Sequence, residues 1–127
     1  MTRAEKAREL FKKGYACSQA VALAFCDLTT LTEEEIAKAS LPFGGGLGRL
    51  RLTCGAVSGM AMIAGLVLSK NENTSENKLA TYEVVRTLCG KFSEEFGSII
   101  CAELLEGAKV PVIVGGKPDE RNTEYYK

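Results

Sequence analysis

The chain has 127 residues, the length of one domain, and can bury roughly two thirds of the surface its unfolded form exposes. Sixteen Lys and Arg balance sixteen Asp and Glu, so there is no basic excess to neutralise phosphates, which argues against a nucleic-acid partner. The 46% hydrophobic and 25% charged content is that of a folded globular protein, not a disordered one. Five Cys and no His set the available chemistry. Without imidazole there can be no Cys–His dyad, Ser–His–Asp triad, Cys₂His₂ zinc site or His-ligated haem. Thiols, carboxylates, amines and backbone remain.

The N-terminus, Met1-Thr2-Arg3-Ala4-Glu5-Lys6, has no apolar signal-peptide core. The longest apolar stretch, Ala56 to Leu68, is interrupted by Ser58 and Gly59 and is shorter than the about 20 residues a bilayer span needs. A cytoplasmic protein with no membrane span is the expectation. An odd number of cysteines in a reducing compartment argues against a disulfide framework.

The residue pattern predicts an all-α domain of five or six helices. Ala4, Ala7, Leu10 and Phe11 share one face of a first helix, which Gly14 interrupts. The pattern resumes with Cys17, Ala20, Val21, Ala24 and Leu28, so Cys17 lies on an inward stripe near a helix start. Thr32-Glu33-Glu34-Glu35 is a capping box, with Leu31 and Ile36 placed as a hydrophobic staple. That helix runs to about Ser40 and Pro42 ends it. Phe43-Gly44-Gly45-Gly46-Leu47-Gly48 is a loop. Thr53 is expected to cap a buried central helix over 54–69, whose Gly55 and Gly59 share a face. Asn73 or Thr74 caps the next helix, with Tyr82, Val85, Cys89, Phe92 and Phe96 inward. Gly97 stops it, Ser98 is the expected N-cap of another, and Gly107 closes that one. Residues 108–127 read as an extended or partly disordered tail of this single domain 1–127. Val110-Pro111-Val112-Ile113-Val114 is strand-like, able to pack as an arm or to pair with a partner chain.

Cys17, Cys54 and Cys101 each fall within the first turn of an expected helix, where unpaired amides and the helix dipole favour an anion. Lowered thiol pKa values are therefore expected, which suit both metal ligation and redox attack. Cys26 lies nine residues beyond Cys17, on the opposite face and about 13 Å along a continuous helix. It and Cys89 read as small buried hydrophobes. No Cys-x-x-Cys occurs, which weighs against thioredoxin-type and zinc-ribbon motifs. Gly44, Gly45 and Gly46, with Gly55, are the candidate cofactor- or anion-binding backbone, backed by Arg49 and Arg51. The alternative is a tight connection lying close to other backbone, or a loop folded over the thiols that admits a small ligand or oxidant.

The segments Gly14-Tyr15-Ala16-Cys17-Ser18-Gln19-Ala20-Val21, Phe43-Gly44-Gly45-Gly46, Cys54-Gly55-Ala56-Val57-Ser58-Gly59 and Phe96-Gly97-Ser98-Ile99-Ile100-Cys101-Ala102-Glu103-Leu104-Leu105 resemble, in order, the C_GCAxxG_C_C family, described as redox-active. The resemblance runs from about Ala7 to Gly107 and implies a small helical protein named for four cysteines. Cys17, Cys54 and Cys101 match three of them. The fourth is expected C-terminal to Cys101, and no cysteine follows it here.

Three readings follow. In the first, two of Cys17, Cys54 and Cys101 cycle between dithiol and disulfide with a redox partner or small molecule. In the second, the three thiolates hold an iron–sulfur cluster or another metal, with a further ligand completing the shell. In the third, the protein is a non-catalytic interaction module, its Val110–Val114 arm and Gly55/Gly59 face serving a homo-oligomer. Among residues able to assist, Glu103, Arg49, Arg51 and Tyr15 are equivalent by sequence alone.

Overall fold

The computed structural model describes residues 1–70 and 72–115. Among these the chain is all-α, with helices α1 (Arg3–Lys12), α2 (Cys17–Ala24), α3 (Glu33–Ser40), α4 (Gly55–Leu68), α5 (Ser75–Phe96) and α6 (Cys101–Gly107). Among the described residues no helix is long and apolar enough to cross a membrane. The polar segment 117–127, expected to fray, lies outside them.

Local signals set most of the boundaries. Thr32 Oγ1 accepts from the Glu35 amide at 3.1 Å, and the Thr32 amide donates to Glu35 Oε1 at 3.1 Å, so the capping box forms. Leu31 and Ile36 meet in the core as the staple requires. Pro42 sits in a 3-10 turn over Leu41–Phe43 directly after α3. Thr74 caps α5, and Gly97 ends it in the left-handed region at φ 92°.

Three boundaries differ from the sequence expectation. The helix of Cys17 stops at Ala24, and a separate 3-10 turn carries Cys26–Leu28, leaving Leu28 half exposed. Cys54 rather than Thr53 is the N-cap of α4, because Thr53 is used in an antiparallel bridge to Ile100. For the same reason Ile100 rather than Ser98 is the N-cap of α6. Ser98 Oγ instead accepts from the Ile100 amide at 3.0 Å and donates to Glu103 Oε2 at 2.9 Å.

The core forms where α2 crosses α3 and α4: Ala22, Leu23, Cys26, Ile36 and Ile63, with Leu10, Phe25 and Met62 against them. Cys26 is part of this core and its thiol donates to Leu31 O at 3.6 Å, as a small buried hydrophobe with a weak donor does. A Cβ on Gly59 would lie 2.8 Å from Ser18 O, so glycine is what lets α4 approach the α2 backbone. The Gly55/Gly59 face, considered above as an oligomer contact, is thus covered by α2 of the same chain. Ser18 is fully buried and its hydroxyl donates to Ser40 O at 2.6 Å, tying α2 to the end of α3.

Two expectations of burial are corrected. No residue of α1 or α5 is fully buried. The central helix α4 packs on α2 and α5, but Leu66, Val67 and Leu68 at its end are exposed. Of the α5 stripe, Val85, Cys89 and Phe92 are half-buried, whereas Tyr82 and Phe96 are exposed. Length explains part of this. Twenty-two residues rise about 33 Å and fourteen about 21 Å, so α5 overruns the helix it packs on.

Candidate functional site

Each candidate cysteine stands at a helix start, as its sequence context suggests. Cys17 is the first residue of α2, Cys54 the N-cap of α4 and Cys101 the first residue of α6. The local reasons differ. At Cys17 the Gln19 side chain accepts from the Ala16 amide at 3.0 Å and donates to Ala37 O at 2.9 Å, so it caps α2 and anchors it to α3. Cys54 and Cys101 are set by the bridge between the segments before α4 and α6. The Cys54 amide donates to Ile99 O at 2.7 Å, the Cys101 amide to Leu52 O at 2.6 Å and the Ala102 amide to Arg51 O at 3.2 Å. Two of the first amides of α6 are therefore spent on loop carbonyls.

The glycine loop supplies those carbonyls. Five consecutive residues, Gly45 to Arg49, have φ between 56° and 76°, and Arg51 follows at 63°. Glycines adopt this left-handed conformation freely; Leu47, Arg49 and Arg51 each do so at about 1–2 kcal/mol. Loop bonds hold them there, among them Arg49 N to Gly44 O at 3.1 Å, Arg51 N to Gly45 O at 3.1 Å and Leu52 N to Gly46 O at 2.9 Å. The C-terminal arm closes over the loop in the same chain: the Gly115 amide donates to Arg49 O at 2.8 Å and Val110 is buried. Arg51, only 4% exposed, spans arm and site, with Nε donating to Ile113 O at 3.0 Å and Nη1 to Cys101 Sγ at 3.6 Å.

All four glycines singled out as ligand-binding lie against other atoms, with a Cβ on Gly44 2.8 Å from Ala16 Cβ and one on Gly45 2.6 Å from Arg49 Cγ. A Cβ on Gly46 would lie 2.7 Å from Cys101 Cβ and 2.7 Å from Leu52 N. One on Gly55 would collide with Cys17 Sγ and lie 2.8 Å from Phe43 O. The sulfur of Cys17 thus rests against the residue next to Cys54. Gly44 and Gly45 line a cleft of about 420 Å³ between the α1–α2 turn and the loop, with Cys17 and Arg49 also in its wall.

Burial, then the neighbouring Cys17 and, more weakly, Cys101 push the Cys54 thiol up to about 11, against the lowering effect of the Ala56 and Val57 amides. This corrects the expectation of a lowered value there, since desolvation outweighs the helix start. A thiol whose pKa is raised on folding holds its stabilising effect below its unfolded value, near 9, and loses it as pH rises through about 11. Cys54→Ala should therefore flatten the fall in stability between pH 9 and 11 by about 2 kcal/mol relative to the parent chain, read from urea unfolding at each pH. Equal slopes in the two proteins would contradict this placement of Cys54.

The remaining candidates separate clearly. Arg51 serves Cys101 and Arg49 the cleft. Glu103 is engaged by Ser98, and Tyr15 is exposed. Among the thiols only Cys17 and Cys101 act on Cys54, so Cys89 takes no part there. Among the described residues no three His, Cys, Asp or Glu are grouped to hold a metal ion.

The chain is an all-α domain that carries cysteines at three helix starts beside a glycine loop. The chain matches, over residues 15–126, the family model described as putative redox-active protein (C_GCAxxG_C_C), and it belongs to that family. No curated protein and no solved structure matches it.

Proposed function

We propose that the protein is a dithiol redox protein in which Cys17 attacks and Cys54 resolves. The observation that carries this reading is the seating of the Cys17 sulfur on Gly55, beside Cys54, with Cys17 also in the wall of the cleft. Cys17 is half-buried and lines the cleft, while burial and the neighbouring thiols push the Cys54 pKa up to about 11, so that Cys54 stays protonated near neutral pH. The order of events follows. The Cys17 thiolate attacks an oxidised sulfur and forms a mixed disulfide, releasing a thiolate. Cys54 then loses its proton to solvent. Cys54 attacks Cys17 Sγ, the second thiolate leaves, and the chain has given up two electrons.

Mild oxidation followed by non-reducing peptide mapping tests this. A Cys17–Cys54 disulfide is expected, with Cys54→Ser trapping a mixed disulfide on Cys17 and Cys17→Ser abolishing both products. Oxidation that links only other pairs, or leaves Cys17 unmodified in Cys54→Ser, would overturn the proposal.

A further inference from the structure

We infer that Cys101 is a third redox thiol, which attacks Cys54 in the Cys17–Cys54 disulfide and so returns Cys17 to the cleft as a free thiolate. The inference rests on the dithiol reading and adds where the disulfide goes next. Three observations carry it. The first is register. Thr53 bridges Ile100, the Cys54 amide donates to Ile99 O at 2.7 Å and the Cys101 amide to Leu52 O at 2.6 Å. Cys54 and Cys101 therefore each follow a bridged residue, and the alternation of extended chains turns both side chains to the face opposite Thr53 and Ile100. They are diagonal neighbours across the pair, at about 7–8 Å between Cα atoms. That is slightly beyond the spacing of a disulfide, so the two thiols stand apart at rest and meet through a small shift of the bridge. The second is mutual influence. Cys101 acts on the Cys54 thiol through its charge, as Cys17 does, which puts Cys54 between the other two. The third is burial. Cys101 is 8% exposed, and its sulfur accepts from Nη1 of the buried Arg51 at 3.6 Å, while Arg51 Nε donates to Ile113 O at 3.0 Å. Gly46 closes another side, since a Cβ there would lie 2.7 Å from Cys101 Cβ. An external oxidised sulfur is thus kept from Cys101, whereas a disulfide formed inside the chain at Cys54 can reach it.

The exchange conserves the number of disulfides, so no outside oxidant or reductant enters it. Cys101 gives its proton to solvent and its sulfur bonds to Cys54 Sγ. The bond between Cys54 and Cys17 breaks, and Cys17 leaves as the thiolate. The Cys17–Cys54 and Cys54–Cys101 forms interconvert. In the presence of a further small disulfide, the freed Cys17 thiolate bonds to one of its sulfurs, that S–S bond breaks, and the other sulfur leaves as a thiolate. With Cys54 already bonded to Cys101, the mixed disulfide on Cys17 persists.

Excess hydroxyethyl disulfide added to the reduced, unaltered chain tests this, with acid quenching over time and peptide mapping without reduction. The Cys17–Cys54 disulfide is expected first, followed by a Cys54–Cys101 disulfide together with one hydroxyethylthio group on Cys17. Cys101→Ser and Cys101→Ala should stop at Cys17–Cys54, with the Cys17 adduct at least about tenfold lower at the same time, because no aligned thiol then displaces Cys17. An unaltered chain that forms Cys17–Cys54 and never Cys54–Cys101, or a Cys17 adduct that accumulates equally in the Cys101 variants, would overturn the inference and leave the dithiol reading standing. Absence of Cys17–Cys54 at every time would instead overturn the dithiol reading, and the inference with it. The mapping on the unaltered chain decides between these outcomes even where a Cys101 variant fails to fold.

Discussion

Gly46→Ala is expected to destabilise the fold by about 4 kcal/mol and to expose Cys101 to alkylation. Two effects add. Gly46 has φ 76°, where a side chain costs about 1–2 kcal/mol. Its Cβ would also lie 2.7 Å from Leu52 N, 2.7 Å from Cys101 Cβ and 2.8 Å from Arg51 Cα. Two of these three atoms are backbone, fixed by the bonds that run from the loop into α6, so no rotamer change relieves the clash, and overpacking of this kind costs about 1–3 kcal/mol. Gly48 separates the two effects. Its φ is 56° and nothing lies within 4 Å of a Cβ there, so Gly48→Ala should lose only the conformational part, about 1 kcal/mol. Urea unfolding of both variants, with thiol labelling at Cys101, measures the difference. Equal losses for the two would mean that the Gly46 contact contributes nothing.

What the sequence made legible was local. Thr32 with Glu35, Thr74 with Asn77, and Gly97 act within a few residues of themselves, so the boundaries they set follow from short patterns. The start of α2 was equally readable from Gly14 and the stripe that follows it. The same approach placed the caps at Thr53 and Ser98, and both failed for one reason: the segments before α4 and α6 pair with each other, and a bridge between Thr53 and Ile100 leaves no trace in either local pattern. The same pairing takes up the first amides of α6, with Cys101 and Ala102 donating to the Leu52 and Arg51 carbonyls, whereas at Cys54 the Ala56 and Val57 amides do face the thiol. Burial then decided the Cys54 pKa. The roles of the two arginines were invisible for a different reason. Arg49 and Arg51 share composition, neighbourhood and left-handed backbone, yet one reaches the cleft and the other reaches Cys101 and the arm. Only the path of the loop distinguishes them. The grouping of Cys17 with Cys54 was suggested by helix starts but is delivered by Gly55, whose missing side chain is the space the Cys17 sulfur fills.

That space makes Gly55→Ala the sharper probe of chemistry. Gly55 opens α4 in ordinary helical backbone, where alanine is at least as good a helix former as glycine, so a conformational argument alone predicts no loss. The contacts predict the opposite. A methyl group at this position collides with Cys17 Sγ and stands 2.8 Å from Phe43 O and 3.2 Å from Ser18 N. The sulfur can rotate away, but the carbonyl and amide belong to the 3-10 turn and to α2, and moving them pushes α2 off α4. A net loss of about 2–3 kcal/mol is expected. Gly90→Ala, in the interior of α5 with nothing within 4 Å, should show the propensity gain undisturbed. The redox consequence should be larger than the stability consequence. With the Cys17 sulfur driven from the residue beside Cys54, the mixed disulfide on Cys17 should still form but should resolve at least about tenfold more slowly, because the resolving attack depends on alignment of the sulfurs. Stopped-time trapping of the mixed disulfide in Gly55→Ala, run under conditions where the variant is fully folded, checks this. Resolution at the parental rate would show that the contact on Gly55 does not set the Cys17–Cys54 geometry.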